Sequence, residues 1–566
     1  MSSSHRAGLF DRLSGVPART LLVALGLTVL IEFWVIKPAV EPSQHALYHW
    51  SGSARVFFAP VAIDVFVLWL LLSLLLVIAL RPGRTRVAIW SGLLFILPWF
   101  LLQNAQFLGL IKTQHELSRI LFLGALLATV LLTAYWRPAF AHRFERLVSI
   151  AANALFFAGV FGIFLLFRLG WYAWRASNMA ERFQLHHAQA APPIQPHRVI
   201  WIVFDELSYQ QVFEHRYPGL YLPAFDTLAT QSTVFSHVVP AGTRTEVVLP
   251  SLISGKPADD IETSPTGQLS IHTTDSNTWQ DFDQHNTVFQ DALDDGYATG
   301  VAGWYNPYCQ IIPETLDHCL WSHGFAILNG MVPSGTVLSN ALEPVKMLAI
   351  GIVNVGPSRL LPLGLRLLHT PLERVKSARL HVHDYELLDS ASRRLLRDPS
   401  AGFILLHLPV PHPESIYDRK TGKLSTERGT YMDNLALADK CFAGLRATLE
   451  QTGQWDSSAI VLMGDHSWRT TQLWEGDKNW TPAEQTASLG GGYDERPVYI
   501  VKLPGQTTGS RIDTVFQAGN TRKLFDALLT HKIQSTADLT AWAQAVRSES
   551  PPVINAFRPS NRPDPL

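Results

Sequence analysis

The chain has 566 residues, of which 47% are apolar and 16% charged, against about 25% charged in an ordinary soluble domain. Its 46 basic and 47 acidic residues nearly cancel, which argues against an electrostatically driven nucleic-acid partner, and the apolar content excludes a disordered chain. Three cysteines, with no Cys-x-x-Cys pair, are too few for a disulfide scaffold or a cysteine-built zinc site. Five long apolar runs come first: Thr20 to Ile36, Ala59 to Leu80, Val87 to Ile111, Ile120 to Trp136 and Leu147 to Phe167. Each is close to the roughly 17–25 residues that cross a hydrocarbon core, and five in succession exclude a signal peptide.

The short connections between the runs divide by charge. Arg6, Arg12 and Arg19 precede the first run, Arg81, Arg84 and Arg86 follow the second, and Arg137, Arg143 and Arg146 follow the fourth. The alternate connections hold mainly Lys37 and Arg55, then Lys112 and Arg119. The positive-inside rule puts the first set in the cytoplasm and everything after residue 175 outside it. Glu32, Asp64, Gln103, Asn104 and Gln106 all fall toward the outer ends of their runs. Intramembrane polar groups are costly and usually face a wet or protein interior, so a polar recess admitting a lipid headgroup is expected there.

Trp171, Tyr172 and Trp174, flanked by Arg168 and Arg175, read as an interfacial aromatic belt. Residues 176–197 are expected to form an interfacial helix and a stiff linker, Ala190 to Pro196. The expected organisation is a transmembrane domain over 1–175, that linker, and an outer domain over 198–566. In the outer part, short β-branched runs recur at Val199 to Phe204, Phe403 to Leu408, Ala459 to Met463 and Val498 to Val501. Helix-like stretches such as Tyr431 to Leu449 lie between them. This alternation predicts an α/β domain with a largely parallel sheet. Apolar patches at Met347 to Val355 and Leu360 to Leu368 are too short to span a membrane. The fold class expected is therefore a five-span α-helical transmembrane bundle followed by an extracytoplasmic α/β domain.

Active sites of open α/β sheets lie beyond the carboxyl ends of the strands. The first run ends in Asp205-Glu206, the second contains His407 with His412 just beyond, and the third ends in Gly464-Asp465-His466. Taken singly, each has an ordinary reading, a helix N-cap for the carboxylates or a hydrogen-bonded surface imidazole for the histidines. Together they are what a hard or borderline divalent cation needs.

Between the first two clusters lies Ala241-Gly-Thr-Arg-Thr-Glu-Val-Val-Leu-Pro-Ser-Leu-Ile-Ser-Gly255. With Val199-Ile-Trp-Ile-Val-Phe-Asp-Glu-Leu-Ser-Tyr209, Leu406-His-Leu-Pro-Val-Pro-His412, Val461-Leu-Met-Gly-Asp-His466 and Arg496-Pro-Val-Tyr-Ile-Val-Lys-Leu-Pro-Gly505, it makes the outer domain resemble the alkaline phosphatase and sulfatase superfamily. The layout is most similar to membrane-bound phosphoethanolamine transferases and lipoteichoic-acid synthase-type phosphoglycerol transferases. That resemblance implies a bacterial cytoplasmic-membrane enzyme with its catalytic domain on the periplasmic or extracellular side. It implies a phospholipid donor and a glycan or lipid acceptor in the envelope.

In this family a Thr attacks phosphorus, and Thr245 is the matching position, with Thr243 as the runner-up. The resemblance implies Asp205, Asp465 and His466 as metal ligands with Thr245 completing a tetrahedral set, and Glu206 as a further ligand or a helix-start carboxylate. Zinc is expected first, with manganese or magnesium as alternatives. Such an ion would lower the hydroxyl pKa and neutralise charge at the phosphoryl oxygens. His412 is the expected phosphoryl contact or general acid, and His407 either joins it or is buried in its strand. Trp304 and Asn306 are candidate headgroup contacts, and Cys309 and Cys319 a candidate disulfide. The family's second-metal His has no counterpart between Ser467 and Thr530, so one metal site is expected. Sulfatase chemistry is disfavoured, because Thr cannot be oxidised to the aldehyde that sulfatases use and no Cys-or-Ser-x-Pro-x-Arg block is present. A hydrolase of the same fold, or a non-catalytic membrane protein retaining it, are the alternatives.

Overall fold

A computed structural model describes residues 18–40, 54–108, 138–179, 197–263, 269–273, 276–322, 336–342, 371–426, 429–468, 479–488 and 494–549, with a few isolated positions. The expected spans at Ile120 to Trp136, the linker at Ala190 to Pro196 and the patches at Met347 to Val355 and Leu360 to Leu368 lie wholly or almost wholly outside the described residues. The chain divides into two compact units, residues 1–182 with 326–373 and residues 183–325 with 374–566.

In the first unit the described helices are α1 (Ala18–Val40), α2 (Ala54–Ile78), α3 (Arg84–Phe107) and α4 (Pro138–Met179). Three segments among the described residues are long and apolar enough to cross a membrane: Ala18–Lys37, Phe58–Ile78 and Ala141–Trp174. They coincide with the first, second and fifth apolar runs, and the third run falls on α3. α4 continues unbroken to Met179, so the aromatic belt at Trp171 and Trp174 is part of the helix.

The helices pack with their sense readable from named pairs. Trp69 on α2 donates its indole N–H to the Leu21 carbonyl at 3.0 Å, while Val61 and Phe58 share a buried cluster with Ile36, so α1 and α2 are antiparallel. On α3, Asn104 donates to the Leu30 carbonyl at 2.8 Å, and Val87 and Trp90 pack with Val23 and Ala24, so α3 runs with α1. α4 also runs with α1. Arg19 bonds Asn153, and Gly26 and Gly159 lie so close that a Cβ on either would run into the partner helix's backbone at Leu155 or Leu22. Small residues let membrane helices approach backbone to backbone. Arg86 at the start of α3 forks onto Glu145 near the start of α4 at 2.8 and 3.1 Å.

The second unit is built on an eight-stranded mixed sheet. Its elements in chain order are β1 (Val199–Phe204), α5 (Pro223–Thr230), β2 (Thr233–Phe235), α6 (Thr245–Ser254), β3 (Ala298–Trp304), β4 (His318–Ser322), α7 (Pro371–Arg397), β5 (Ala401–Leu408), α8 (Tyr431–Gln451), β6 (Ala459–Gly464), β7 (Tyr499–Lys502) and β8 (Ser510–Ile512). The strand order is β8-β2-β7-β6-β1-β5-β3-β4. Five neighbours, β6-β1-β5-β3-β4, are parallel. β7 is antiparallel to both β6 and β2, so the run at Val498 to Val501 opposes its neighbours within a sheet expected to be largely parallel.

β1, β3, β5 and β6 are buried along their whole length, as sheets covered on both faces require, and β4 at the edge is partly buried. α5, α7 and α8 close one face through Phe225, Leu388, Leu396, Leu435, Phe442 and Leu445. α8 begins at Thr430 with a reciprocal cap in which Asp433 answers the Thr430 backbone N–H. The register aligns the strand ends: Phe204 faces Gly464 on one side and Leu408 on the other, and Gly303 faces His407. Asp205, Asp465 and His407 are thereby delivered to one edge within a residue or two of each other.

Candidate active site

Four side chains meet at that edge around one hydroxyl. Thr245 is the first residue of α6, and its Oγ1 lies 3.1 Å from Asp205 Oδ2, 2.8 Å from Asp465 Oδ2 and 3.5 Å from His466 Nε2. His407 Nε2 lies 3.6 Å from Asp205 Oδ2, and His466 Nε2 lies 3.4 Å from Asp465 Oδ2. Asp205, His407, Asp465 and His466 are fully buried, and Thr245 nearly so.

This arrangement suits a cation. A threonine hydroxyl has one proton, so it can donate to only one of the two carboxylates that crowd it. His407 Nε2 is buried with no hydrogen-bond partner, and leaving such an atom unpaired is costly. Among the described residues, Asp205, His407 and Asp465 each bring a ligand atom within 4.8 Å of the others. Two carboxylate oxygens and an imidazole nitrogen at that separation fit a divalent cation, with Thr245 and His466 bordering the same space. Burial pushes His407 down to about 4, with nearby Asp465 opposing, so its imidazole is neutral at physiological pH, the form that binds metal. Its Nδ1 meets the Tyr308 hydroxyl at 2.8 Å, and the Trp304 backbone also bonds the ring. Burial holds the Tyr308 phenol far above its ordinary range, so it stays protonated.

Local structure explains how the pieces are held. Glu206, directly after Asp205, adopts a left-handed backbone with φ +64°. That turn aims its N–H at Asp465 Oδ1, 3.0 Å away, while its carbonyl accepts from the Tyr431 hydroxyl at 2.7 Å. Tyr305, directly after β3, is also left-handed at φ +62°. Non-glycine residues rarely adopt this conformation, and here two of them stand at the same sheet edge. Thr245 sits where the helix N-terminus favours negative charge, which suits both an alkoxide and a phosphoryl oxygen. Asn306 donates to the Thr245 carbonyl at 3.1 Å.

The other residues singled out in the sequence fall as follows. Glu206 is buried and contributes its backbone to Asp465. His412 is buried, with Nδ1 against the Pro413 carbonyl and its ring 5.0 Å from Trp304. Trp304 is buried and edge-on to three imidazoles, His407, His412 and His381, with centroids 6.2, 5.0 and 5.5 Å away. Cys309 and Cys319 are bonded, joining the turn after β3 to β4. Sequence reasoning did not single out Tyr308, His381 or Asp384. Asp384 accepts from Ser322 at the end of β4, and His381 stacks on His412 at 6.3 Å. The His-x-His-Asp run from His381 to Asp384 was the available signal.

A family model described as Sulfatase matches residues 197–499. Among solved structures, the chain resembles Ps i-CgsB in complex with k-i-k-neocarrahexaose, at 15% identity and TM-score 0.38, covering 62% of this chain and 77% of that one. It also resembles the lipoteichoic acid synthase LtaP from Listeria monocytogenes, at 13% identity and TM-score 0.34, covering 64% and 78%. Murine ectonucleotide pyrophosphatase/phosphodiesterase 5 follows at 9% identity and TM-score 0.32, covering 59% and 95%. No curated protein matches the chain in sequence.

Proposed function

The chain belongs to the sulfatase family, and from that premise we propose that it is a membrane-bound, metal-dependent phosphoryl-group transferase. In this reading Thr245 takes a phosphoethanolamine or phosphoglycerol headgroup from a phospholipid and passes it to a glycan or lipid of the bacterial cell envelope. The observation that carries it is the placement of Thr245 Oγ1 between the Asp205 and Asp465 carboxylates at a helix N-terminus.

Asp205, His407 and Asp465 would hold the cation, with His466 beside them, zinc first among the ions that fit. When bound, the ion supplies the charge that favours the Thr245 alkoxide and screens the phosphoryl oxygens. Asp465 or Asp205 accepts the hydroxyl proton and orients Oγ1 for attack, and returns the proton to Oγ1 when the acceptor displaces it. The N-terminal end of α6, where Val247 N–H is taken by the Arg244 carbonyl, would favour the negative charge of phosphoryl oxygens placed beside Thr245. Thr245 Oγ1 bonds to phosphorus as the diacylglycerol oxygen departs, and His412 is the group proposed to return a proton to it. An acceptor hydroxyl then displaces Thr245, restoring the enzyme. Trp304 fixes His412 from behind. Family membership alone does not choose sulfate over phosphate, but a threonine at the nucleophile position cannot furnish a formylglycine.

The test is mass spectrometry of the full-length protein after incubation with labelled phosphatidylethanolamine or phosphatidylglycerol. A headgroup phosphate adduct on Thr245, absent from Thr245→Ala, is expected, with turnover reduced by at least about a thousandfold. An undiminished Thr245→Ala rate would overturn the assignment. Rapid release of free headgroup without an acceptor would make the enzyme a hydrolase through the same adduct.

A further inference from the structure

The membrane-spanning helices bury two acids that the proposed chemistry does not use. Glu32 on α1 is 5% exposed and Asp64 on α2 is 8% exposed. Glu32 lies five residues inside the span end at Lys37, and Asp64 six residues inside the span start at Phe58. In antiparallel helices rising 1.5 Å per residue, that puts both about 8–9 Å below the same end of the bundle. Asp64 acts on Glu32 by direct charge repulsion. Asn104 reaches the same level, where one of its two amide N–H groups donates to the Leu30 carbonyl. Glu32 Oε2 and Asp64 Oδ2 are each buried without a hydrogen-bond partner, and no ion pair to either acid is found among the described residues.

Two carboxylates buried at one depth of a bundle interior are a costly arrangement for a membrane protein. A proton shared between the two acids would remove one charge and leave the other buried, whereas a cation would balance that charge and give the unpartnered oxygens a ligand. We propose that Glu32 and Asp64 form a binding site for a compact monovalent cation in the membrane unit. Two sources share that chemistry: the primary ammonium of an aminophospholipid headgroup, and a free alkali ion. The ammonium is favoured by the unpartnered oxygens, which three N–H donors would satisfy and a quaternary ammonium would not. That arm rests on the lipid-donor reading above, but its measurement does not involve Thr245, so the two fail separately.

The experiment is native mass spectrometry of the full-length protein in detergent with equal phosphatidylethanolamine, phosphatidylcholine and phosphatidylglycerol. Wild type is expected to retain phosphatidylethanolamine over phosphatidylcholine by about tenfold, the ratio expected when a few charge-assisted hydrogen bonds are lost. Glu32→Gln and Asp64→Asn are each expected to bring the ratio to parity. Thermal unfolding of the same preparations in sodium or in N-methylglucamine separates the second source. Stabilisation by sodium without lipid preference, abolished in both variants, assigns the site to a free ion. Wild type showing neither preference nor sodium response overturns the proposal, whether or not the variants fold, as does an unchanged response in both variants.

Discussion

The buried hydroxyl of Tyr308 and the Trp304 carbonyl decide which nitrogen of His407 can bind a cation. A proton held on Nδ1 between them leaves the Nε2 lone pair facing Asp205. Removing the hydroxyl with Tyr308→Phe is therefore expected to weaken metal binding about 10–100-fold, read by competition with a chromophoric chelator. A change under threefold would show that Tyr308 only fills space. His381 carries a different consequence. Burial first, then His412, pushes it down to about 3, against a hydrogen bond to the Pro409 backbone that opposes. Its folded pKa thus lies below the unfolded one, so its contribution is fully present above about pH 6.5 and is lost as pH falls toward 3. Wild type should lose about 2 kcal/mol more than His381→Gln between pH 8 and pH 5, measured by thermal unfolding of the full chain. Parallel pH profiles would refute this. At this scale, Asp205, Thr245, Asp465 and His466 were legible because each stands at the end of a β-branched run or in a recognisable block. Tyr308 and His381 were not, because an aromatic beside a cysteine and a histidine in a polar helix look ordinary until the fold brings them to the strand ends.

Among the elements, α1 and α4 show what sequence patterning cannot supply. Gly26 and Gly159 read as neutral interruptions in apolar runs, since nothing local to either names the other as its partner. In the fold each stands where the opposite backbone leaves no room for a Cβ. Gly159→Leu is expected to force the helices apart and cost about 1–3 kcal/mol, visible as a lower unfolding temperature and less monodisperse protein in detergent. The same change at Gly170, where a Cβ meets nothing within 4 Å, should be nearly silent. In the outer unit the strands at Val199 to Phe204 and Ala459 to Met463 and the helix from Tyr431 were readable almost to the residue, because fully buried β-branched runs and a capped amphipathic helix are local signals. The sense of β7 was not, because an apolar run has the same composition in either direction.

Over the whole molecule, composition divided the chain into a membrane part and an α/β part before any coordinates, since that division depends only on where charge is missing. The parallel sense of α1, α3 and α4 suits the proposed odd number of crossings, with the N-terminus and the sulfatase-family unit on opposite faces. A reporter that matures only in the cytoplasm is expected to be active at the N-terminus and silent at the C-terminus; activity at both ends would refute the five-crossing proposal. The helix carrying Thr245 gives the reaction its own constraint. Asn306 pins its first carbonyl, and Arg522, anchored on Asp291, pins the carbonyl of Ser254 at its other end. In the proposed transfer, a Thr245 tied at both ends of its helix would not swing between donor and acceptor. The leaving alcohol and the incoming one would use the same doorway in turn, each displacement would invert phosphorus, and a chiral thiophosphate headgroup would emerge with its original handedness.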